Sequence, residues 1–247
     1  MKRCLIIPDT HIPFHDTKAY ALMLKVAQDY KPHEIVILGD FADFYSVSSH
    51  SKDPSVLSLL VDEVESVNSA LDELDMLFPR AKKVFIEGNH EYRLERYLVD
   101  KAPALFGVTD LNYLFNLHGR PNWSLIPYGP SQSYSVGGGK LTARHEPPKG
   151  SILNIAKEAG CSIVFGHVHR KLEAHHVSLE GVNRIAICPG WLGDKRQKKI
   201  FGYVKNHHQW QLGFMLVDVE ESGWFHINPI HILDNMTCLY NGKLYKG

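Results

Sequence analysis

Five short strand-like runs in this chain, four of them apolar, each end in side chains of the kinds that bind metals or move protons. Cys4-Leu5-Ile6-Ile7-Pro8 leads to Asp9 and His11, and residues 35–38 lead to Gly39-Asp40. Residues 84–86 lead to Glu87-Gly88-Asn89-His90-Glu91, residues 140–144 to His145, and residues 161–165 to Gly166-His167-Val168-His169. Buried strands deliver ligand-binding groups at their carboxyl ends, so these are site-like positions. Imidazole mixed with carboxylate and an amide oxygen suits manganese, iron, zinc or nickel. A structural zinc would instead want thiolates at closed tetrahedral spacing. Seven or eight such groups exceed what one ion needs, which argues for two ions, and Asp40 can bridge them with its two oxygens. Two ions about 3.5–4 Å apart activate a water and steady the oxygens of an in-line displacement at phosphorus. The plainer alternatives are Asp9 and Asn89 as helix caps and His145 as a strand-end surface residue. Repetition at five strand ends outweighs them.

The elements that must hold these groups follow from hydrophobic periodicity. Continuous apolar runs mark strands buried on both faces. Leu22, Val26 and Tyr30 are at helical spacing within residues 17–30, closed by Pro32. Residues 41–54, polar and aromatic, suit an irregular loop over the sheet edge. A long amphipathic helix is expected over residues 56–78, from Leu60, Val64, Val67, Leu71, Leu74 and Leu77, stopped by Pro79. Helical material follows the third run through Leu98, with a shorter piece near residues 111–117. After Pro121 short strands dominate: 123–127, 133–136 and 140–144, the last two joined by a triple-Gly turn. A helix over 151–159 precedes the 161–165 run, and strands follow at 171–179, 183–188, 212–219 and 223–232. Asn241-Gly242 marks a type I′ hairpin. This order predicts one α/β domain over residues 1–247, two packed sheets with outer helices.

Composition narrows the function classes. At 247 residues with 44% hydrophobic content the chain carries an ordinary core, and its formal net charge is zero. A general affinity for nucleic acid or acidic membranes is therefore not indicated, although local basic patches remain. The four cysteines are scattered, and at least three sit in apolar runs, as reduced packed thiols of a cytosolic protein do. The first residues enter a strand at once, leaving no room for a signal peptide, and no apolar run approaches membrane-spanning length. A cytoplasmic location is expected, host cytoplasm if the gene is viral. Ten of the fifteen histidines, among them His15, His50 and His207, fit no strand end and are expected to be surface or packed residues. The run Lys195-Arg196-Gln197-Lys198-Lys199, reaching Lys205, reads first as a solvated face. Its sharper reading is a hold on a phosphate-rich substrate through Lys195 and Arg196. Arg93, three residues past His90, is a further phosphate candidate.

The order of blocks over residues 9–169 resembles the calcineurin-like metallophosphoesterase superfamily, in particular its compact phage and bacterial members. The matching blocks are Asp9-Thr10-His11, Gly39-Asp40-Phe41-Ala42-Asp43, Gly88-Asn89-His90-Glu91, the lone His145, and Gly166-His167-Val168-His169. Each block is common alone, and five in order are highly specific. The resemblance implies a sandwich of two mixed β-sheets flanked by helices. It implies Asp9, His11, Asp40 and His169 around one divalent ion and Asp40, Asn89, His145 and His167 around the other, manganese before iron, zinc or nickel. It also implies His90 as the acid that protonates the leaving oxygen, oriented by Asp43, with Glu91 as support.

The chain departs from the pattern in places. Glu146 and two prolines follow the lone histidine where Gly is frequent. Phe44 and Glu87 stand where protein serine/threonine phosphatases carry arginines that grip phosphate, which argues against that branch. Hydrolysis of phosphate monoesters, from a small molecule or nucleotide, is the first expectation. A phosphodiesterase or nuclease acting on nucleic acid is the second, and a non-catalytic scaffold of this fold the third. Retention of His90, Asp43 and every ligand position weighs against the scaffold. No membrane partner is expected, and oligomeric state is silent in the sequence.

Overall fold

The structure, a computed structural model, describes residues 1–56, 59–201, 204 and 206–247, with Lys198 described through its backbone. β1 (Lys2–Ile7) enters a loop that ends where Asp16 caps α1 (Thr17–Tyr30), accepting from the amides of Lys18 and Ala19. β2 (Glu34–Ile37), α2 (Leu60–Leu77), β3 (Lys82–Ile86) and α3 (Tyr92–Lys101) complete the alternating half. α4 (Leu111–Leu114) is a single turn held by the Asp110 side chain, shorter than the helical piece expected there. β4 (Trp123–Ile126), β5 (Tyr134–Ser135) and β6 (Leu141–Arg144) follow; β5 is cut short because Val136 turns directly into the glycines. Then come α5 (Ile152–Glu158), β7 (Ser162–Phe165), β8 (Lys171–Val177) and β9 (Asn183–Pro189). α6 (Lys198–Phe201), β10 (Gly213–Val219), β11 (Phe225–His231), β12 (Thr237–Tyr240) and β13 (Lys243–Lys246) close the chain. Residues 57 and 58, in the first turn of the helix expected over 56–78, lie outside the described residues. Asn241 and Gly242 both have positive φ, as the type I′ turn between β12 and β13 requires.

Two mixed sheets form the body. One has the order β11-β10-β1-β2-β3-β4, with β1 to β4 parallel and β10 and β11 antiparallel. The other has the order β5-β6-β7-β9-β8, with β6, β7 and β9 parallel. Alternation along each strand sends side chains to opposite faces, which explains two cores. Ile6, Val36, Val84 and Val217 meet Leu141, Val164 and Ile187 between the sheets. On the other face of the first sheet, Leu5, Ile37 and Phe85 pack with Leu22 and Val26 of α1 and Val67, Leu71 and Leu74 of α2. α5 covers the second sheet through Ile155 and Ala156 against Ile163 and Phe165. The architecture is therefore a two-sheet sandwich with helices outside both faces. The carboxyl ends of β1, β2, β3, β6 and β7 open at one edge, and the five polar strand ends meet there.

Candidate metal centre

The turns at that edge are unusual in their backbone. His11, Asp40, His167 and His169 all have positive φ, between 48° and 67°, a region few non-glycine residues occupy. Left-handed conformations at four functional candidates are the strain pattern that surrounding structure sustains at sites. Two glycines make the close approach work. A Cβ on Gly88 would stand 2.3 Å from the amide and Oδ1 of Asp40, and one on Gly39 would stand 2.7 Å from His145 Nδ1. Glu91, fully buried, fastens this crossing: its carboxylate accepts from the amides of Asp40, Ala42 and Gly88 at 2.8–2.9 Å. The helix-cap alternative for Asp9 and Asn89 is excluded, since Asp16 caps α1 and Glu91 precedes α3.

The donor atoms converge in two groups that share Asp40. Ligand atoms of Asp9, His11, Asp40 and His169 lie within 4.8 Å of one another, and so do those of Asp40, His145 and His167. His169 Nε2 is 3.1 Å from both Asp9 Oδ2 and His11 Nε2. Asn89 Oδ1 is 2.8 Å from His145 Nε2 and 2.8 Å from His167 Nδ1. Asp9 also accepts from the His167 amide, tying β1 to the β7 end.

The chemistry of these contacts fits cations. His11 Nδ1 is 2.9 Å from Asp43 Oδ2, so it donates there and leaves Nε2 as a lone pair. Burial and His90 push the His11 imidazole down to about 4, which keeps it a neutral ligand. His145 donates from Nδ1 to the Leu38 carbonyl at 2.8 Å. Its Nε2 then faces two acceptors, Asn89 Oδ1 and, at 3.4 Å, Asp40 Oδ1. Only a cation or a proton satisfies that arrangement. Burial works against the proton, but Asp40 and Asp9 outweigh it and raise His145 to about 10.

A pH prediction follows from that proton. A metal ion at the Asp40/His145/His167 group must displace it, so loading with Mn²⁺ at pH 8 releases a proton. The affinity of that site then weakens about tenfold per unit of acidification. Calorimetry in buffers of different ionisation enthalpy reads this directly, and a buffer-independent enthalpy would refute it. Since the folded value is raised above the ordinary 6.5, the stabilisation it gives the metal-free protein is full below pH 6.5 and lost as pH rises through about 10.

A third group joins His11, Asp43 and His90. Asp43 serves several partners: Oδ2 is 2.9 Å from His11 Nδ1 and 3.3 Å from His90 Nδ1, and Oδ1 is 3.4 Å from Arg93. Burial lowers the His90 pKa, and the carboxylates of Asp40 and Asp43 reverse this to leave it raised. The Arg93 guanidinium donates to the Asp43 carbonyl at 2.9 Å and to His90 Nε2 at 2.8 Å. His90 Nδ1 is 3.0 Å from that same carbonyl.

The residues from the basic run part company. Lys199 lines the cavity at His90 together with Arg93 and Phe201. Lys195 and Arg196 line a different groove with Lys18 and Asp234, and Arg196 is paired to Asp194 at 2.8 Å and to Asp16 at 3.4 Å. The Lys198 side chain and Lys205 lie outside what the structure describes. Sequence patterns also missed Gln132, which accepts from the His145 amide at 2.9 Å and donates to the Glu87 carbonyl. They missed the aromatic wall too: Trp191 stacks on His169 with centroids 5.0 Å apart, Trp210 meets the same ring edge-on, and Phe201 packs on His11. No local pattern signals either, because both are set by long-range packing. Phe44 is buried against Phe115, leaving no opening for a phosphate-gripping arginine at its position.

A two-sheet α/β sandwich whose strand ends gather histidines and aspartates into adjoining ligand groups defines a metallohydrolase. The family model for calcineurin-like phosphoesterase matches residues 2–222, and the chain belongs to that family. It is a metal-dependent phosphoric ester hydrolase. The chain is similar to the gene 54 proteins of Mycobacterium phages L5 and D29, each 27% identical over 249 residues, covering 92% of this chain and 92% of the relative. Among solved structures it is similar to zinc-complexed Vps29 of Entamoeba histolytica (11% identity, TM-score 0.43, 98% of this chain and 95% of that one). It is also similar to the phosphoesterase YfcE of E. coli (13% identity, TM-score 0.41, 92% and 98%). No helix among the described residues is long and apolar enough to cross a membrane.

Proposed function

We propose that the chain is a single-domain, dinuclear phosphoesterase that hydrolyses phosphate monoesters of small molecules or nucleotides. The observation that carries the reading is the sharing of Asp40 between two groups of ligand atoms. Asp9, His11, Asp40 and His169 would hold one ion and Asp40, Asn89, His145 and His167 the other. Mixed oxygen and imidazole donors favour manganese, with iron, zinc or nickel as alternatives. When bound, the ions supply an activated water at neutral pH and positive charge against the phosphoryl oxygens.

The chain's own groups do the rest. His90 carries the proton for the leaving oxygen. Its Nε2 faces the Arg93 guanidinium at 2.8 Å, which opposes a proton there, while the carboxylates of Asp40 and Asp43 favour one. A phosphoryl group that draws Arg93 to itself frees Nε2, and the pull of Asp40 and Asp43 then favours the proton. Arg93 is thus both the proposed phosphate contact and a check on premature protonation. Asp43 orients His90 and His11 together, which ties the acid to the ligand set. Arg196, paired with Asp194 and Asp16, and Lys195, which lines the same groove, are proposed to act only on substrates long enough to reach it. The phage origin of the gene 54 relatives supports action in a host cytoplasm.

Hydrolysis of phosphodiesters in nucleic acid is the second reading, supported by a basic groove that adjoins the His90 cavity. The deciding experiment is a Mn²⁺-supplemented screen of p-nitrophenyl phosphate, a bis(p-nitrophenyl) diester, nucleotides and single-stranded DNA, with metal content measured in parallel. Close to two ions per chain and turnover of the monoester are expected. One tightly held ion with no second site on titration would sink the dinuclear reading.

A further inference from the structure

The cavity at His90 does not end there. It is lined by Asp43, Tyr45, Ser48, His50, Arg93 and Lys199, and Ser48 and Arg93 also line a neighbouring groove of about 480 Å3. That groove continues over Lys52, Arg96 and Tyr97 to Asp100 and Lys101. On α3, Arg93, Arg96, Tyr97, Asp100 and Lys101 are three or four residues apart, so they share one helix face that leads away from the acid. Five cations flank this track, Lys52, Arg93, Arg96, Lys101 and Lys199. Against them stand Asp100 at the far end, Asp53 beside Lys199, and Asp43 at the site, the last already held by His11 and Arg93. Lys52 donates to the Ser46 carbonyl, whereas the Ser55 hydroxyl that Lys199 meets donates in turn to Asp53, so Asp53 offsets part of the Lys199 charge. In a chain of zero formal net charge this is a local concentration of positive charge.

We propose that this groove binds single-stranded nucleic acid and feeds its backbone to the metal centre. Cations in a row track successive phosphates, and such binding weakens linearly in log salt. The strand must be single because of Tyr97, a residue 41% exposed on the same wall. An exposed aromatic ring stacks on a base only when that base is splayed from a partner. A small monoester needs none of this track. The inference develops the second, phosphodiester reading for what happens at the metals, and rests on the groove alone for binding.

The test separates the two. Binding of a fluorescein-labelled oligothymidylate is followed by anisotropy in chelator, where nothing turns over, across a KCl series. The triple variant Lys52→Gln/Arg96→Gln/Lys101→Gln is expected to bind about 10–100-fold more weakly, and its slope in log salt should shrink by about 2, at roughly 0.7 per phosphate contact. Tyr97→Ala should lose about tenfold with the slope kept, and Tyr97→Phe should restore binding. Tyr97→Ala is a single exposed change, so it reads the proposal even if the triple variant folds poorly. Wild-type affinity and slope in the triple variant overturn the proposal, as does displacement of the strand by polyglutamate as effective as by unlabelled oligonucleotide. Binding as expected but no hydrolysis of any ester with Mn²⁺ supports the groove and overturns the phosphoesterase reading instead.

Discussion

Asp40→Asn is expected to abolish loading of both metal positions and to lower phosphoester turnover by about 10³-fold or more. Asp40 is the one side chain common to both groups of ligand atoms, and it is almost fully buried. Burial alone would raise its pKa, yet the imidazoles of His145 and His90 hold it well below the usual carboxylate range. It is therefore a permanent negative charge shared by the two groups of ligand atoms. An amide of the same shape keeps one oxygen and removes the charge, so a cation held by either group would lose a charged ligand. The lost charge stabilisation is several kcal/mol, and each 1.36 kcal/mol is about tenfold in rate. The His90 amide donates to Asp40 Oδ1 at 2.8 Å, a bond Asn can still accept, so the variant should fold. Elemental analysis and turnover on the same preparation check the result. Double occupancy with normal turnover would remove Asp40 from the bridging role.

His90→Ala is the second large effect, and it is expected to depend on the leaving group. A nitrophenolate departs without a proton, whereas an alkoxide from a sugar or nucleoside does not. Removing a positioned acid typically costs about 10²–10⁴-fold, so an alkyl ester should lose that much while an aryl ester loses far less. His90 is absent from the two groups that share Asp40, so metal content should stay close to wild type. If His90 is the acid, the wild-type alkyl-ester profile should carry a basic limb, because the acid must be protonated to act. That limb should vanish in the variant. Asp43→Asn should behave differently from a simple weakened acid. Its carboxylate lies closer to His11 than to His90, so the change loosens a candidate ligand as well as the acid and should lower metal affinity along with alkyl-ester rate. Equal slowing of both esters by His90→Ala with both metals retained would make His90 a phosphoryl contact rather than the acid.

The sequence by itself determined the strands and what stands at their ends. β1, β2, β3 and β7 are buried on both faces, so their apolar runs are continuous, and the first polar residue after each run marks the carboxyl edge. Asp9, Asp40, Asn89, His145 and His167 could be found this way because backbone periodicity is local. The hairpin at Asn241-Gly242 and the helix faces of α1 and α2 were legible for the same reason. What each side chain turns toward was decided only in three dimensions. Asp43 divides itself among His11, His90 and Arg93, and Arg93 reaches back to cover the nitrogen expected to carry the proton. Glu91, read only as support, gathers three amides from two strand ends, and Gln132 steadies His145 from a strand edge with no pattern of its own. The basic run looked uniform as a string. Packing of Ile200 and Phe201 with Trp191 and Trp210 sends Lys199 to the His90 cavity, while Lys195 and Arg196 stay with Asp194 and Asp16. The contacts that join strand ends, such as His11 with Asp43 and His169 with Asp9, link residues 32 and 160 positions apart, and no short window along the chain contains them.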